Sequence, residues 1–359
     1  MTKLLVTGGM GFIGSAVIRR CLTLAEFEIV NLDKVTYASS EETLHAAETN
    51  PAYTLEKHDI CDAEEVRRIL DQHEPDAIMH LAAETHVDRS IGDPSDFIQT
   101  NVVGTYNLLD AAYAYWKKLD EKGRTSFRFH HVSTDEVYGS LDDTGFFTEQ
   151  TPYAPNSPYA ASKAAADHLV QSWHRTYGLP TVITNCSNNF GPYQFPEKLI
   201  PVIIMKALAN EPVPIYGTGK NVREWLFVED HAEALLRVLE NGKTGETYNI
   251  GSRTELSNID IAHKVCRLID ELVPAENGHS RTELITFVEE RPGHDFRYAL
   301  DITKIETELG WRPARDFEEA LHHTVKWYLD NLPWCENAME GKYGGERLGL
   351  ARTAREDRA

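Results

Sequence analysis

A short apolar strand, Lys3–Thr7, runs directly into Gly8-Gly9-Met10-Gly11-Phe12-Ile13-Gly14 and then into a helical pattern, and few folds accept that junction. Glycines there let the chain turn sharply, let bare backbone approach a pyrophosphate and let the helix pack close on the strand. The helix N-terminus then faces the anion. Both GxxGxxG from Gly8 and GxGxxG from Gly9 are satisfied. Asp33 follows Gly14 by 19 residues, at the end of the second apolar run. A carboxylate at that point accepts from ribose hydroxyls and repels a 2′-phosphate, so the pair predicts NAD rather than NADP.

Short apolar runs go on alternating with amphipathic stretches, the pattern of strands joined by crossover helices into a parallel sheet. Strands are expected at Lys3–Thr7, Glu28–Asp33, Thr54–His58, Ala77–Leu81, Arg128–Ser133 and Thr181–Asn185, and a returning one at Glu246–Gly251. Helices are expected to start near Gly11, Asp62, Gln99 and Pro158. After Asn185 the texture changes: Asn188–Tyr193 and Pro212–Gly217 read as turns lining a cleft. Two helical patterns flank a strand at Leu284–Val288. The expectation is an α/β fold, a doubly wound parallel sheet with a smaller interleaved α/β domain. Residues 1–185 and about 225–255 form the nucleotide-binding part, 186–224 and 256–335 the substrate part, and 336–359 a frayed polar tail.

Apolar residues make up 42% of the 359, which supports a globular core. The net charge of −20 repels polyanions and argues against nucleic acid or an anionic membrane as partner. Cys21, Cys61, Cys186, Cys266 and Cys335 are odd in number and widely spaced, as expected of reduced thiols in a cytoplasm. Met1–Gly9 run straight into the glycine motif without a signal-peptide apolar region, so no leader is expected, and no run approaches the ~18 apolar residues of a membrane span. His80, His86, His130, His131 and His231 lack ligand spacing, so no metal is expected.

Tyr159 and Lys163 lie four apart on an expected helix, on one face, where an ammonium can lower the phenol pKa and make it a general base. Spacing alone decides little, because Tyr53/Lys57, Tyr113/Lys117 and Tyr216/Lys220 share it. Tyr159 is distinguished by its place in the first turn of the helix after the Ser133-Thr134 strand end, where open α/β sheets hold ligands.

Thr7–Gly14, Asp33, His80-Leu-Ala-Ala83, Asn101-Val-Val-Gly104-Thr105 and Tyr159-x-x-x-Lys163 together resemble the extended short-chain dehydrogenase/reductases that act on nucleotide sugars. Within that superfamily Ser133-Thr-Asp-Glu-Val-Tyr-Gly139 discriminates: an adjacent Asp135-Glu136 resembles the dTDP-glucose 4,6-dehydratases. His86-Val-Asp-Arg-Ser90, Asn185–Pro192, Phe195–Pro201, Arg223–Asp230 and Arg291-Pro-Gly-His-Asp295 strengthen the likeness. The resemblance implies oxidation at carbon 4 of dTDP-glucose, loss of water across carbons 5 and 6, and hydride return to carbon 6, with bound NAD unchanged overall. It implies catalytic roles for Thr134, Asp135, Glu136, Tyr159 and Lys163, with Glu136 the base and Asp135 the acid. From the residues alone the two carboxyls are interchangeable, since neighbours on an extended strand point opposite ways and a turn must reorient one.

The resemblance further implies cofactor contacts from Gly8, Gly11, Phe12, Ile13, Gly14, Asp33, Lys34, Thr36, Asp59, Ile60, Leu81, Ala82, Ala83, Thr85, Thr100, Tyr159, Lys163 and Asn189. Substrate contacts are implied for Thr85, Thr134, Asn188, Lys198, Leu199, Pro214, Ile215, Tyr216, Arg223, Asn258, Glu290, Arg291 and His294. Lys198, Arg223 and Arg291 suit a diphosphate. A homodimer built on the Asn101–Trp116 and Ser157–Tyr177 helices is implied as well, and Asp88 with Arg89 is expected to form a local ion pair.

Overall fold

The computed structural model describes residues 1–39, 41–275 and 278–340. Twelve strands occur among them: β1 Thr2–Thr7, β2 Phe27–Leu32, β3 Tyr53–Glu56, β4 Ala77–His80, β5 Arg128–Thr134, β6 Thr181–Cys186, β7 Asn188–Phe190, β8 Val213–Tyr216, β9 Val222–Phe227, β10 Thr247–Ile250, β11 Glu255–Ser257 and β12 Ile285–Val288.

Seven of these form one sheet in the order β10-β6-β5-β4-β1-β2-β3, every pairing parallel. Leu4, Leu5 and Val6 of β1 are buried on both faces, which is why the central strands read as unbroken apolar runs. Helices Phe12–Leu24 and Val228–Asn241 cover one face, and Ala63–His73, Thr105–Lys118 and Pro158–Tyr177 the other. Local chemistry sets their ends. Asp62 accepts from the amides of Glu64 and Glu65, both at 3.2 Å, and Ser157 from that of Ala160 at 3.0 Å, just before Pro158. Gly178, at φ 75°, closes the second of these helices. Strand order reverses between β1 and β4, and the crevice beyond that switch point is where doubly wound sheets bind ligands.

A second, smaller body is built from the sheet β11-β9-β7, the pair β12-β8, and helices Leu199–Leu208, Asn258–Leu272 and Phe317–Asp330, around a core that includes Ile203, Ile261 and Leu321. Its interleaving is finer than the sequence divides it. Tyr298, Leu300, Ile305 and Trp311 pack into the core of the large sheet, whereas Trp225 and Phe227 belong to the second core.

Two segments read as turns are strands. Asn188–Phe190 pairs with β9, and Val213–Tyr216 with β12, 72 residues farther along the chain in register. Both are too short to show a period, and distant partners create them. The helix Leu332–Met339 buries Trp334, Cys335 and Ala338, so the chain is ordered past the point where a polar tail was expected. The rest of that tail lies outside the described residues. Among the described residues no helix is long and apolar enough to cross a membrane.

Candidate active site

The glycine turn sits at the carboxyl end of β1 as its residues demand. Gly8 has φ 73°, and a Cβ there would lie 2.6 Å from the Ala82 amide nitrogen; one on Gly14 would lie 2.2 Å from the Gly8 carbonyl oxygen. Gly11 precedes the helix Phe12–Leu24 without any side-chain cap, so the first-turn amides face the groove. Asp33 ends β2 and accepts from the Met10 amide at 2.9 Å and the Val35 amide at 2.7 Å. Burial raises its pKa while these bonds lower it. Bare amides, absent Cβ atoms and a carboxylate at the second strand end fit a dinucleotide.

All eighteen residues expected to touch the cofactor line one cavity of about 300 Å³, together with Thr134, Asp135 and Glu136. A second cavity of about 230 Å³ adjoins it, sharing Thr85, Glu136, Asn188, Glu197 and Lys198. Leu199, Pro214, Ile215, Tyr216, Arg223, Asn258, Arg291 and His294 line the second. Glu290 lines neither; its carboxylate accepts from the Arg291 amide at 2.9 Å and pairs with His294 at 2.6 Å, holding the turn.

The carboxyl pair is reoriented by a single helical turn. Asp135–Tyr138 is a 3₁₀ helix starting where β5 stops, and the Thr134 hydroxyl caps it by accepting from the Glu136 amide at 3.3 Å. Both acids thereby reach the first cavity, and Glu136 the second. Their surroundings differ. Asp135 is 2% exposed, with Oδ2 unpartnered; burial first, then Glu136 and Glu224, push its pKa well above the carboxylate range. Glu136 is raised too, by burial first and also by Asp295, with Arg291, Arg223 and Lys198 opposing.

Tyr159 and Lys163 are both buried in the first turns of their helix. Lys163 Nζ lies 2.9 Å from the Val132 carbonyl oxygen and 3.4 Å from His131 Nε2, and the charge opposite it is Asp167. In the protein alone the phenol stands well above its ordinary value, through burial and then Glu136, with a bond to Thr134 opposing. Lys163 is turned towards the sheet and does not lower it there.

Asp88 and Arg89 do not pair with one another, because successive residues on the helix Val87–Gly92 point about 100° apart. Asp88 accepts from Tyr216 at 2.6 Å and lies 3.6 Å from Arg291; Arg89 lies 3.1 Å from Glu197. Arg223 lies over the Tyr298 ring at 4.4 Å and donates to the Asp295 carbonyl at 3.0 Å. Asp88, Glu197 and Tyr298 escaped the sequence reading of the site. The first two stand inside motifs that were noted, and Tyr298 carries no local signal at all.

The doubly wound parallel sheet thus carries a cofactor groove that opens into a second cavity, where Lys198, Arg223 and Arg291 surround Glu136. A family model described as GDP-mannose 4,6 dehydratase matches residues 5–324. The dTDP-glucose 4,6-dehydratase of Neisseria meningitidis serogroup B is 56% identical over 355 residues, 98% of this chain and 100% of that one. An Escherichia coli K12 enzyme, dTDP-glucose 4,6-dehydratase 1, is 55% identical over 350 residues, 95% and 96% of the two chains. The solved dTDP-glucose 4,6-dehydratase of Streptomyces venezuelae, with NAD bound, superposes with a TM-score of 0.84 at 44% identity over 94% and 99% of the chains. A UDP-glucose 4-epimerase of Thermotoga maritima shares the fold at 27% identity and a TM-score of 0.79, over 92% and 99%. The chain belongs to the dTDP-glucose 4,6-dehydratase family.

Proposed function

We propose that this protein binds NAD in the first cavity and converts dTDP-glucose, bound across the second, into dTDP-4-keto-6-deoxyglucose and water. The observation that carries the reading is the asymmetry of Asp135 and Glu136 at the cavity junction, since elimination needs one carboxyl protonated and the other ionised.

Bound NAD⁺ would supply the hydride acceptor for carbon 4 and, once reduced, the donor for carbon 6. Tyr159 takes the proton of the 4-hydroxyl, while Thr134 holds that oxygen. Lys163, with Asp167 opposite, holds the ribose end of the cofactor. The resulting ketone acidifies carbon 5. Glu136, favoured in its ionised form by Arg291, Arg223 and Lys198, accepts the carbon-5 proton, Asp135 gives its own to the carbon-6 hydroxyl, which leaves as water, and Glu136 returns its proton to carbon 5 when hydride reaches carbon 6. The same three cations offset the diphosphate.

Several further points belong to the same reading. Residues 1–185 with about 225–255 serve the cofactor, and 186–224 with 256–335 the sugar nucleotide. A homodimer across the helices Thr105–Lys118 and Pro158–Tyr177 is supported by Tyr106 and Tyr177, each 46% exposed, beside Ile98 and Val103. Five free, widely spaced cysteines support a cytoplasmic enzyme, and the acidic excess supports the absence of a nucleic-acid partner.

Purified protein incubated with dTDP-glucose and no added NAD should form the 4-keto-6-deoxy sugar. An unchanged dTDP sugar with turnover of the UDP analogue would overturn the substrate; a product keeping its carbon-6 oxygen with carbon 4 inverted would make this an epimerase.

A further inference from the structure

The reaction proposed above sets a condition on the cofactor. Hydride taken from carbon 4 must return to carbon 6 of the same sugar, so a cofactor that departs between the two transfers leaves a stranded ketone. Neither cavity's expected contacts explain how departure is prevented.

Tyr37, Arg89 and Glu197 come from three separate segments and meet at one point. Tyr37 lies in the loop after β2, whose Asp33, Thr36 and Ala38 line one bank of the cofactor cavity. Glu197 lies after β7, in the segment whose Gln194, Phe195 and Lys198 line the same cavity. Arg89 lies on the helix Val87–Gly92, directly after Leu81–Thr85. The Tyr37 hydroxyl donates to Glu197 Oε1 at 3.2 Å, and Arg89 Nε to Glu197 Oε2 at 3.1 Å. The Arg89 guanidinium lies 4.0 Å over the Tyr37 ring, and Phe195 meets that ring edge-on at 5.7 Å.

The Glu197 side chain is 2% exposed, so these donors are what satisfies a charge taken almost wholly out of water. A buried carboxylate met by a guanidinium and a phenol is expensive to pull apart, because separation leaves an uncompensated charge behind. Neighbouring contacts reinforce the join: His86 Nε2 lies 3.4 Å from the Glu197 carbonyl oxygen, and Lys198 Nζ donates to the Thr85 carbonyl at 3.0 Å.

We infer that Tyr37, Arg89 and Glu197 form a clasp that joins the two banks of the cofactor cavity and retains NAD and NADH through a turnover. This rests on the proposed function. The three are positioning residues: they join the segments that line the cavity and take no part in the proton transfers. Glu197, which lines both cavities, also ties cofactor retention to the wall of the sugar site.

The test is the rate at which purified holoenzyme loses NAD to an excess of an NAD-hydrolysing enzyme, read by the nucleotide remaining on the protein after gel filtration. Glu197→Gln and Arg89→Met should each lose NAD at least tenfold faster than wild type, and Arg89→Met, at a residue that lines neither cavity, should do so at nearly unchanged initial turnover with NAD added. Arg89→Lys should recover part of the retention. Without added NAD the variants should slow during repeated turnover and recover when NAD is supplied, whereas wild type should do neither. Tyr37→Phe, which removes one hydroxyl, gives a milder readout should Glu197→Gln fail to fold. Wild type that holds NAD, with all variants holding it equally long, overturns the clasp alone. Wild type that neither contains nor takes up NAD overturns the proposed function first.

Discussion

Asp135 and Glu136 are neighbours in the chain, yet their environments separate them. Asp135 meets burial and like charges, while Glu136 faces three cations. Activity should therefore fall at alkaline pH as Asp135 loses its proton and at acid pH as Glu136 gains one, giving a bell-shaped profile whose alkaline limb Asp135→Asn alters. Glu136→Gln should still reduce its bound NAD⁺ on mixing with dTDP-glucose but eliminate water ~10²–10⁴-fold more slowly. Dehydration at the wild-type rate would refute the base assignment. The Asp135 contribution to stability is likewise lost as pH rises. A carboxyl whose folded pKa is raised contributes stability below its unfolded value, about 3.9 for Asp, and loses it as pH rises towards the folded value. Asp135→Asn should therefore gain stability over wild type as pH increases above about 4, by up to about 1.4 kcal/mol per pH unit, in thermal unfolding at several pH values. Much of this was legible: the acids, Tyr159 and Lys163 stand in recognisable patterns. What separates the acids was not, because Glu224, Arg223 and Arg291 lie 88 to 156 residues away along the chain.

At the scale of the element, the glycine turn divides its labour by position. Gly14 is packed against the Gly8 carbonyl at 2.2 Å and the Gly9 Cα at 2.8 Å from a notional Cβ, so Gly14→Ala forces backbone to move and should cost roughly 1–3 kcal/mol of stability. Gly11 meets only the Gly8 oxygen at 3.2 Å, so Gly11→Ala should fold almost normally yet weaken NAD binding about tenfold or more. Comparing denaturation midpoints with NAD content separates the two. The β5-to-3₁₀ junction solves the orientation of the adjacent acids that an extended strand could not, and Thr134 closes it with one capping bond. The large sheet was readable because β1, β2 and β4 are buried, mainly apolar runs that alternate with amphipathic helices, two of the flanking helices opened by caps at Asp62 and Ser157. Strands β7 and β8 were not, since three or four residues have no periodicity of their own and become strands through β9 and β12.

On the whole-molecule scale, a net charge of −20 coexists with a site for anionic ligands because backbone amides and a few inward cations set the local field. Salt screens the acids that lie farther than roughly 8 Å from the site. Tyr106 and Tyr177 are exposed on the helices Thr105–Lys118 and Pro158–Tyr177, and Ile98 and Val103 are exposed in the segment just before the first. Sedimentation should give a dimer, and Tyr106→Glu with Tyr177→Glu should shift it towards monomer by burying like charges across the two-fold axis. A double variant that remains a dimer places the interface elsewhere.

By itself the sequence determined the parallel sheet, the glycine turn, the acid at the second strand end and the candidate acids and base. Those features are written in local period, turn chemistry and short spacing, which act within a few residues. Tertiary structure alone decided which charges surround each of the two carboxyls, which residues bridge the cofactor cavity, and where the smaller body's short strands form. Each of those depends on charges and hydrogen-bond partners brought together from distant segments, and burial is what gives such contacts their strength.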